Sequence, residues 1–406
     1  MTSSTHDAPS YGRLFAIAGF QRLVASMMLA RTAGQMVSLV LVLFALQRYG
    51  SAEIAGAVTF LSILPGLVGS PVAGALLDRH GRTRLMVLDY VIAGCSLALI
   101  ATLALVDLLP VAALLAIVTI TSLTQPLSNT GVRTLFPLIV PRHLWERANA
   151  IDSNGYVVAS IVGPALAGAL VAAFGAPVAL VFTACLFSAA AVVALGLRDP
   201  ATKGETGRLL PDAWRGLAYV ARNRTLRALA LAVSTSNLGW GMFFLALPVL
   251  VLQRFGRGPE FVGLLFALLG ISGSVAVLLM GRVSTRGRER QWLALAMLGE
   301  AAAIAIVLLY PDPLIVALAM LALGIATGPF DIVLFTLRQR RTDPAWLGRA
   351  FAVSMALNFV GFPIGSAIAG AVVPISIPLV LLAAVACETL GAVFAFVGVP
   401  GEDALA

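Results

Sequence analysis

The chain has 406 residues, of which 60% are apolar and only 11% charged, against roughly 25% charged in a soluble domain. Its 27 basic and 19 acidic residues are too few to wet a soluble core of this length, whereas the apolar supply suffices for roughly twelve bilayer-spanning helices of about 20 residues. A soluble enzyme, a disordered chain and a disulfide scaffold are excluded, and the formal charge of +8 belongs to arginine-rich loops rather than to nucleic-acid binding.

The first thirteen residues are polar and read as a tail rather than a signal peptide. Apolar runs broken by Gly, Pro and charge then predict spans near 23–47, 54–77, 85–106, 110–136, 148–173 and 178–197. A polar connector, 198–227, follows. Six more spans are expected near 228–253, 259–281, 291–310, 314–337, 348–372 and 377–398. Residues 1–197 would form one six-helix half and 228–406 the other. With the N-terminus inside, 22 basic residues fall on the cytoplasmic side; only Arg48, Arg254 and Arg257 fall outside. Both termini are therefore expected in the cytoplasm.

Within the connector, Trp214, Leu217, Ala218 and Ala221 share a helical face, with Arg215 and Arg222 toward the other. That pattern predicts a short amphipathic helix on the inner leaflet. Cys95, Cys185 and Cys387 each lie in an apolar run and read as packing residues. His6, His80 and His143 lie in the tail and loops, so no metal site and no enzyme is expected.

Displacing the chain on itself by 202 residues aligns Arg147-Ala148-Asn149-Ala150 with Arg349-Ala350-Phe351-Ala352, Gly163 with Gly365 and Gly168 with Gly370. Nine of 24 positions match between 147–170 and 349–372. A looser echo pairs Arg79-His80-Gly81-Arg82 with Thr285-Arg286-Gly287-Arg288. Matched segments lie on the same membrane side. The prediction is an all-α protein of twelve transmembrane helices in two parallel six-helix halves, with a substrate site between them.

Two motifs carry a family resemblance. Gly74-Ala75-Leu76-Leu77-Asp78-Arg79-His80-Gly81-Arg82-Thr83-Arg84 resembles the loop signature of the major facilitator superfamily, with Thr83 where a basic residue is usual. Gly74 would allow close helix approach, Asp78 would cap or neutralise a helix terminus, Gly81 completes the motif, and Arg79 and Arg82 would face anionic headgroups. Ala159-x-x-x-Gly163-Pro164-x-x-Ala167-Gly168 resembles that superfamily's antiporter signature, with Ala for Gly at 159 and 167. The resemblance implies export. Gln125-Pro126 through Pro137, Pro141, Leu144 and Ala148-Asn149 is similar to the branch of macrolide-efflux proteins and catechol-siderophore exporters.

The single lysine, Lys203, is followed by Gly204, so no Walker motif exists and the energy source is expected to be a proton gradient, with no cofactor. Carboxylates within spans are costly and tend to be functional. Asp331 on span 10 is the leading candidate for the coupling proton, with Asp152 next. Asp89 reads equally as a loop anchor, and Glu300 and Glu388 as packing against hydroxyls or a neighbouring subunit. Arg31 and Arg133 are the buried or membrane-edge cations, and an Arg133–Asp152 pair is one expectation. Gln125 and Asn129 on span 4, with Asn237, Trp240, Phe243 and Phe244 on span 7, are candidates for the cavity wall. The expected protein is a monomeric proton-coupled exporter of amphiphilic small molecules in a bacterial inner membrane, touching protons and lipids but no nucleic acid. A dedicated metabolite exporter, a lipid translocator and a non-transporting receptor or assembly factor are the alternatives.

Overall fold

The computed structural model describes residues 11–197, 209–281, 283, 285–343 and 347–401. Among them, twelve helices are long and apolar enough to cross a membrane. Spans 1 to 6 are Phe20–Tyr49, Ala52–His80, Arg82–Leu105, Val111–Ile139, Trp145–Phe174 and Ala176–Leu195. Span 7 is Arg224–Val249, and one π turn, Leu250–Arg254, extends it just past Pro248. Spans 8 to 10 are Pro259–Met280, Glu289–Leu309 and Pro313–Arg340. Span 11 is broken at Val360 into Leu347–Phe359 and Gly361–Val372, and span 12 is Ile377–Gly398.

Local chemistry sets the ends. Ser51, Asn223, Asp312 and Ser376 each accept a backbone N–H bond in the first turn of spans 2, 7, 10 and 12. The Gly74–Arg84 motif is not a loop. Its residues form about the last two turns of span 2 and the first turn of span 3, joined by Gly81 alone. Gly81 has φ +89° and its N–H bonds to the Leu77 carbonyl at 3.1 Å. Gly287, its partner in the looser sequence echo, also has positive φ, +78°. Only glycine adopts this backbone without strain, which costs other residues about 1–3 kcal/mol. Gly81→Ala is therefore expected to lower the thermal unfolding midpoint. Gly34→Ala, at a site with open space for a methyl, should not; equal midpoints would remove the argument. The surroundings of Gly74 and the side chain of Asp78 lie outside the described residues.

The packing repeats as the sequence does. In the first half span 1 packs on 5 and 6, span 3 on 4 and 6, and span 2 on 4. In the second half span 7 packs on 11 and 12, span 9 on 10 and 12, and span 8 on 10. Adding six to every span number converts one set into the other. Gly163 sits against Gln35 of span 1, and its repeat mate Gly365 against Leu238 of span 7.

The halves meet through spans 5 with 8 and 2 with 11. A methyl on Gly168 would stand 2.6 Å from the Pro259 carbonyl oxygen and 2.8 Å from Gly263 Cα. A methyl on Gly370 would stand 2.8 Å from the Ala52 carbonyl oxygen and 3.0 Å from Gly56 Cα. The two repeat glycines thus serve the same contact on opposite sides, at the end remote from the chain termini. One apolar cluster runs through both halves there, including Leu43, Val251, Val262 and Ala369. Toward the termini the second half has its own cluster around Leu229, Leu293, Val333 and Leu337. The halves are closed at one end and separate toward the other.

The connector helix, Leu209–Arg222, packs on spans 7 and 11 rather than only on lipid. Val220 is buried against Leu226, Val353 and Leu357, and Tyr219 Oη accepts the Asp343 N–H at 3.0 Å. Its protein-facing edge is Gly216 and Val220, while Ala218 and Ala221 of the expected apolar face are exposed. The connector residues 198–208 and the side chain of Trp214 lie outside the described residues.

Candidate functional site

Arg31, near the middle of span 1, reaches span 5 with both arms of its guanidinium. Nη2 donates to Asp152 Oδ1 and Nη1 to the Asp152 backbone carbonyl, each at 2.6 Å. Tyr156 lies one turn beyond Asp152 on the same face, its ring 4.9 Å from the Arg31 guanidinium carbon. The paired side chains keep 14% and 24% exposure, so the ion pair lies in a wall and remains reachable. Charge-assisted bonds of this two-armed kind fix orientation as well as contributing energy. The expected Arg133–Asp152 pair is corrected: the partner of Asp152 is Arg31, 121 residues away.

Arg133 nevertheless lines the same space. With Phe136, Trp145, Ala148, Asn149 and Asp152 it lines a half-open cavity of about 330 Å³ between the ends of spans 4 and 5 nearer the termini. Gln125, Asn129 and Arg133 fall four residues apart on span 4 and all three are exposed. They form one exposed polar stripe on span 4, whose last member, Arg133, lines this cavity. Phe136 and Trp145 were not anticipated, although Trp145 donates to the Val140 carbonyl at 2.8 Å and so is held in place. Tyr156 was also missed, and its position four residues past Asp152 was the available signal.

On span 7 the expected wall divides. Phe243 is fully buried, with its ring centroid 5.7 Å from that of Trp240, so it packs and is not open to a substrate. Trp240 and Phe244 are half-buried, and Phe244 packs at a tilt between Phe266 of span 8 and Phe362 of span 11. Asn237 Nδ2 donates to the Asn358 carbonyl at 3.1 Å, tying span 7 to span 11.

The remaining carboxyls lie elsewhere. Asp89 is not a loop anchor: it is buried in span 3, facing the hydroxyls of Thr124 and Ser128 on span 4. Glu300 and Glu388 pack against hydroxyls, Thr327 and Ser236 respectively. Both are buried within the chain and cannot meet a neighbouring subunit. Asp331 does not line the cavity beside Asp152. It stands one turn past Thr327 on the face that span 10 turns to Glu300, within electrostatic range of that carboxyl. Among the described residues no group of His, Cys, Asp and Glu could hold a metal ion.

The sequence profile of the Major Facilitator Superfamily matches residues 23–256 and again 229–405. The chain is 38% identical over 393 residues to y4rN of Sinorhizobium fredii, an uncharacterized MFS-type transporter, covering 95% of this chain and 96% of the relative. It is 28% identical to the multidrug efflux pump Tap of Mycolicibacterium fortuitum, covering 88% and 93%. Among solved structures, the nucleoside transporter NupG superposes with a TM-score of 0.76 at 15% identity, over 93% of this chain and 98% of that one. This likeness establishes the shared fold.

Proposed function

This chain belongs to the major facilitator superfamily, and on that premise we propose that it is a proton-driven exporter of amphiphilic small molecules. It works in a bacterial inner membrane with both termini in the cytoplasm. The asymmetry of 22 basic residues against three supports that orientation. In it, the glycine contacts close the outer end, and the polar stripe of span 4 opens to the cytoplasm.

The observation that carries the reading is the Arg31–Asp152 pair beside Tyr156, with Asp152 itself lining a partly apolar cavity. An aromatic face receives the apolar body of an amphiphile, and a reachable carboxylate or guanidinium receives its charged group. Binding there loosens the tie between spans 1 and 5. Rocking of the halves about the glycine contacts then presents the site to the other side. Efflux by the related pump Tap supports the direction.

Expression in an efflux-deficient bacterial host tests this. Tolerance to several chemically unlike amphiphiles should rise at least fourfold, and an uncoupler should abolish the gain. Tolerance to one compound alone would favour a dedicated exporter. No change across the panel, or a gain that survives the uncoupler, would refute proton-driven drug export.

A further inference from the structure

Glu300 is the twelfth residue of span 9, and Glu388 the twelfth of span 12. The two helices pack side by side and run in opposite directions, so both carboxyls arrive at the middle of the membrane. The two carboxyls are near enough for each to act on the other. Glu388 has no solvent exposure and Glu300 retains 7%.

The donors around them are too few for two carboxylates. Ser236 Oγ donates to Glu388 Oε2 at 2.6 Å. Glu388 Oε1 is buried with no hydrogen-bond partner. Thr327 Oγ1 is 3.1 Å from Glu300 Oε1 and 3.0 Å from the Leu323 carbonyl, and its single proton can satisfy only one of them. An uncompensated buried acceptor is costly, and two facing carboxylates in an apolar setting more so. One proton on the pair removes the facing of two anions and supplies a donor where donors are short.

No cation takes the proton's place among the described contacts. Arg338 Nη1 reaches the Met355 sulfur, Arg340 pairs with Glu289 at 2.9 Å, Arg341 donates to the Pro400 carbonyl, and Arg290 lies over Phe396. The groups facing the pair are Ser236 and Gly239 of span 7, Thr327 and Asp331 of span 10, and Cys387 beside Glu388 on span 12. Of these, Asp331 and Cys387 can titrate, and neither brings positive charge. No described group of acids, cysteines and histidines is arranged for a metal ion.

We propose that Glu300 and Glu388 hold one proton between them, and that this shared-proton pair is the proton-binding site of the second half. The first half argues that packing alone does not require it. Span 3 packs on span 6 as span 9 does on span 12, yet span 6 carries no acid. The pair is separate from the Arg31–Asp152 cavity, and span 7 connects it to the substrate side. Ser236 of that span binds the pair, while the adjacent Asn237 holds span 11. Loss of the proton leaves two anions facing each other, which favours a state where spans 9 and 12 admit water. Cargo and protons then use different sites on one moving body. Asp331, the acid singled out from the sequence, is a neighbour of the pair and not the carrier.

The assignment of this proton to coupling rests on the export reading; its existence does not. Infrared spectra of the purified full-length protein test existence directly. Wild type at neutral pH should show the C=O stretch of a protonated carboxyl. Glu388→Gln and Glu300→Gln should each remove it, because the new amide donates to the remaining carboxylate as the proton did. Asp331→Asn should keep the band. A wild type without the band overturns the proposal even if no variant folds, as does a band lost only in Asp331→Asn. Coupling is read in proteoliposomes with the compound most strongly exported by the host panel. The two Gln variants should bind it with unchanged affinity and lose at least tenfold in accumulation driven by a pH gradient. Wild-type accumulation that ignores the gradient would sink the export reading and leave the pair standing. Variants that keep both band and accumulation would sink the pair alone.

Discussion

Alanine at Gly168 is expected to shift this protein out of the state closed at the end remote from its termini by roughly 5- to 150-fold. The atoms that the new methyl would meet are all backbone: the Pro259 carbonyl oxygen at 2.6 Å, Gly263 Cα at 2.8 Å and Gly263 N at 2.9 Å. None can swing aside as a side-chain tip would, so spans 5 and 8 must separate. Overpacking of this kind costs about 1–3 kcal/mol, and the contact exists only while this end is closed, so the full cost biases the conformational equilibrium. The span 5–span 8 contact leaves no room even for a methyl, so alanine is disruptive as well as any larger residue. Spin labels at the exposed Phe174 of span 5 and Glu260 of span 8 would report the separation. In Gly168→Ala the longer-distance population should grow, while in Gly34→Ala, with nothing within 4 Å, it should not. Identical distributions in the two variants would refute a gate at this contact.

Under the export reading, loss of either partner of the ion pair is expected to reduce transport at least tenfold, by different routes. Asp152→Asn keeps an oxygen for Arg31 Nη2 and leaves the bond from Nη1 to the backbone carbonyl. The fold should survive, and the loss should appear as weaker binding of cationic compounds with gradient dependence intact. Arg31→Ala removes both 2.6 Å bonds and the contact with Tyr156, stranding a carboxylate within a span. Stranding one member of a buried pair costs about 3–5 kcal/mol, less here because the cavity keeps part of each side chain exposed. Expression and thermal midpoint should therefore fall in Arg31→Ala and hold in Asp152→Asn. Wild-type affinity for a cationic substrate in a well-folded Asp152→Asn protein would exclude the pair from the binding site.

What the amino-acid sequence determined by itself is the frame. Lengths of apolar run against bilayer thickness set twelve spans, and the structure moves few of their ends by more than four residues. Self-similarity at 202 residues already contained the parallel halves, down to the glycines that meet span 1 and span 8 in one half and span 7 and span 2 in the other. These features are local or periodic, so a linear reading reaches them. Which face each span turns to its neighbours is another matter. Lipid tails are as apolar as leucine, so a membrane helix need not be polar on its outer side and no hydrophobic stripe marks its inner one. Phe243 and Phe244 are therefore indistinguishable in sequence, although one is sealed and the other half-buried. The partners of the charges were equally hidden. Arg31 finds Asp152 across 121 residues, and Glu300 finds Glu388 across 88, because helix packing brings mid-membrane positions together wherever they fall in the chain. Only tertiary structure decided those pairings, since a buried charge is stabilised by whatever faces it in space and not by what precedes it in sequence.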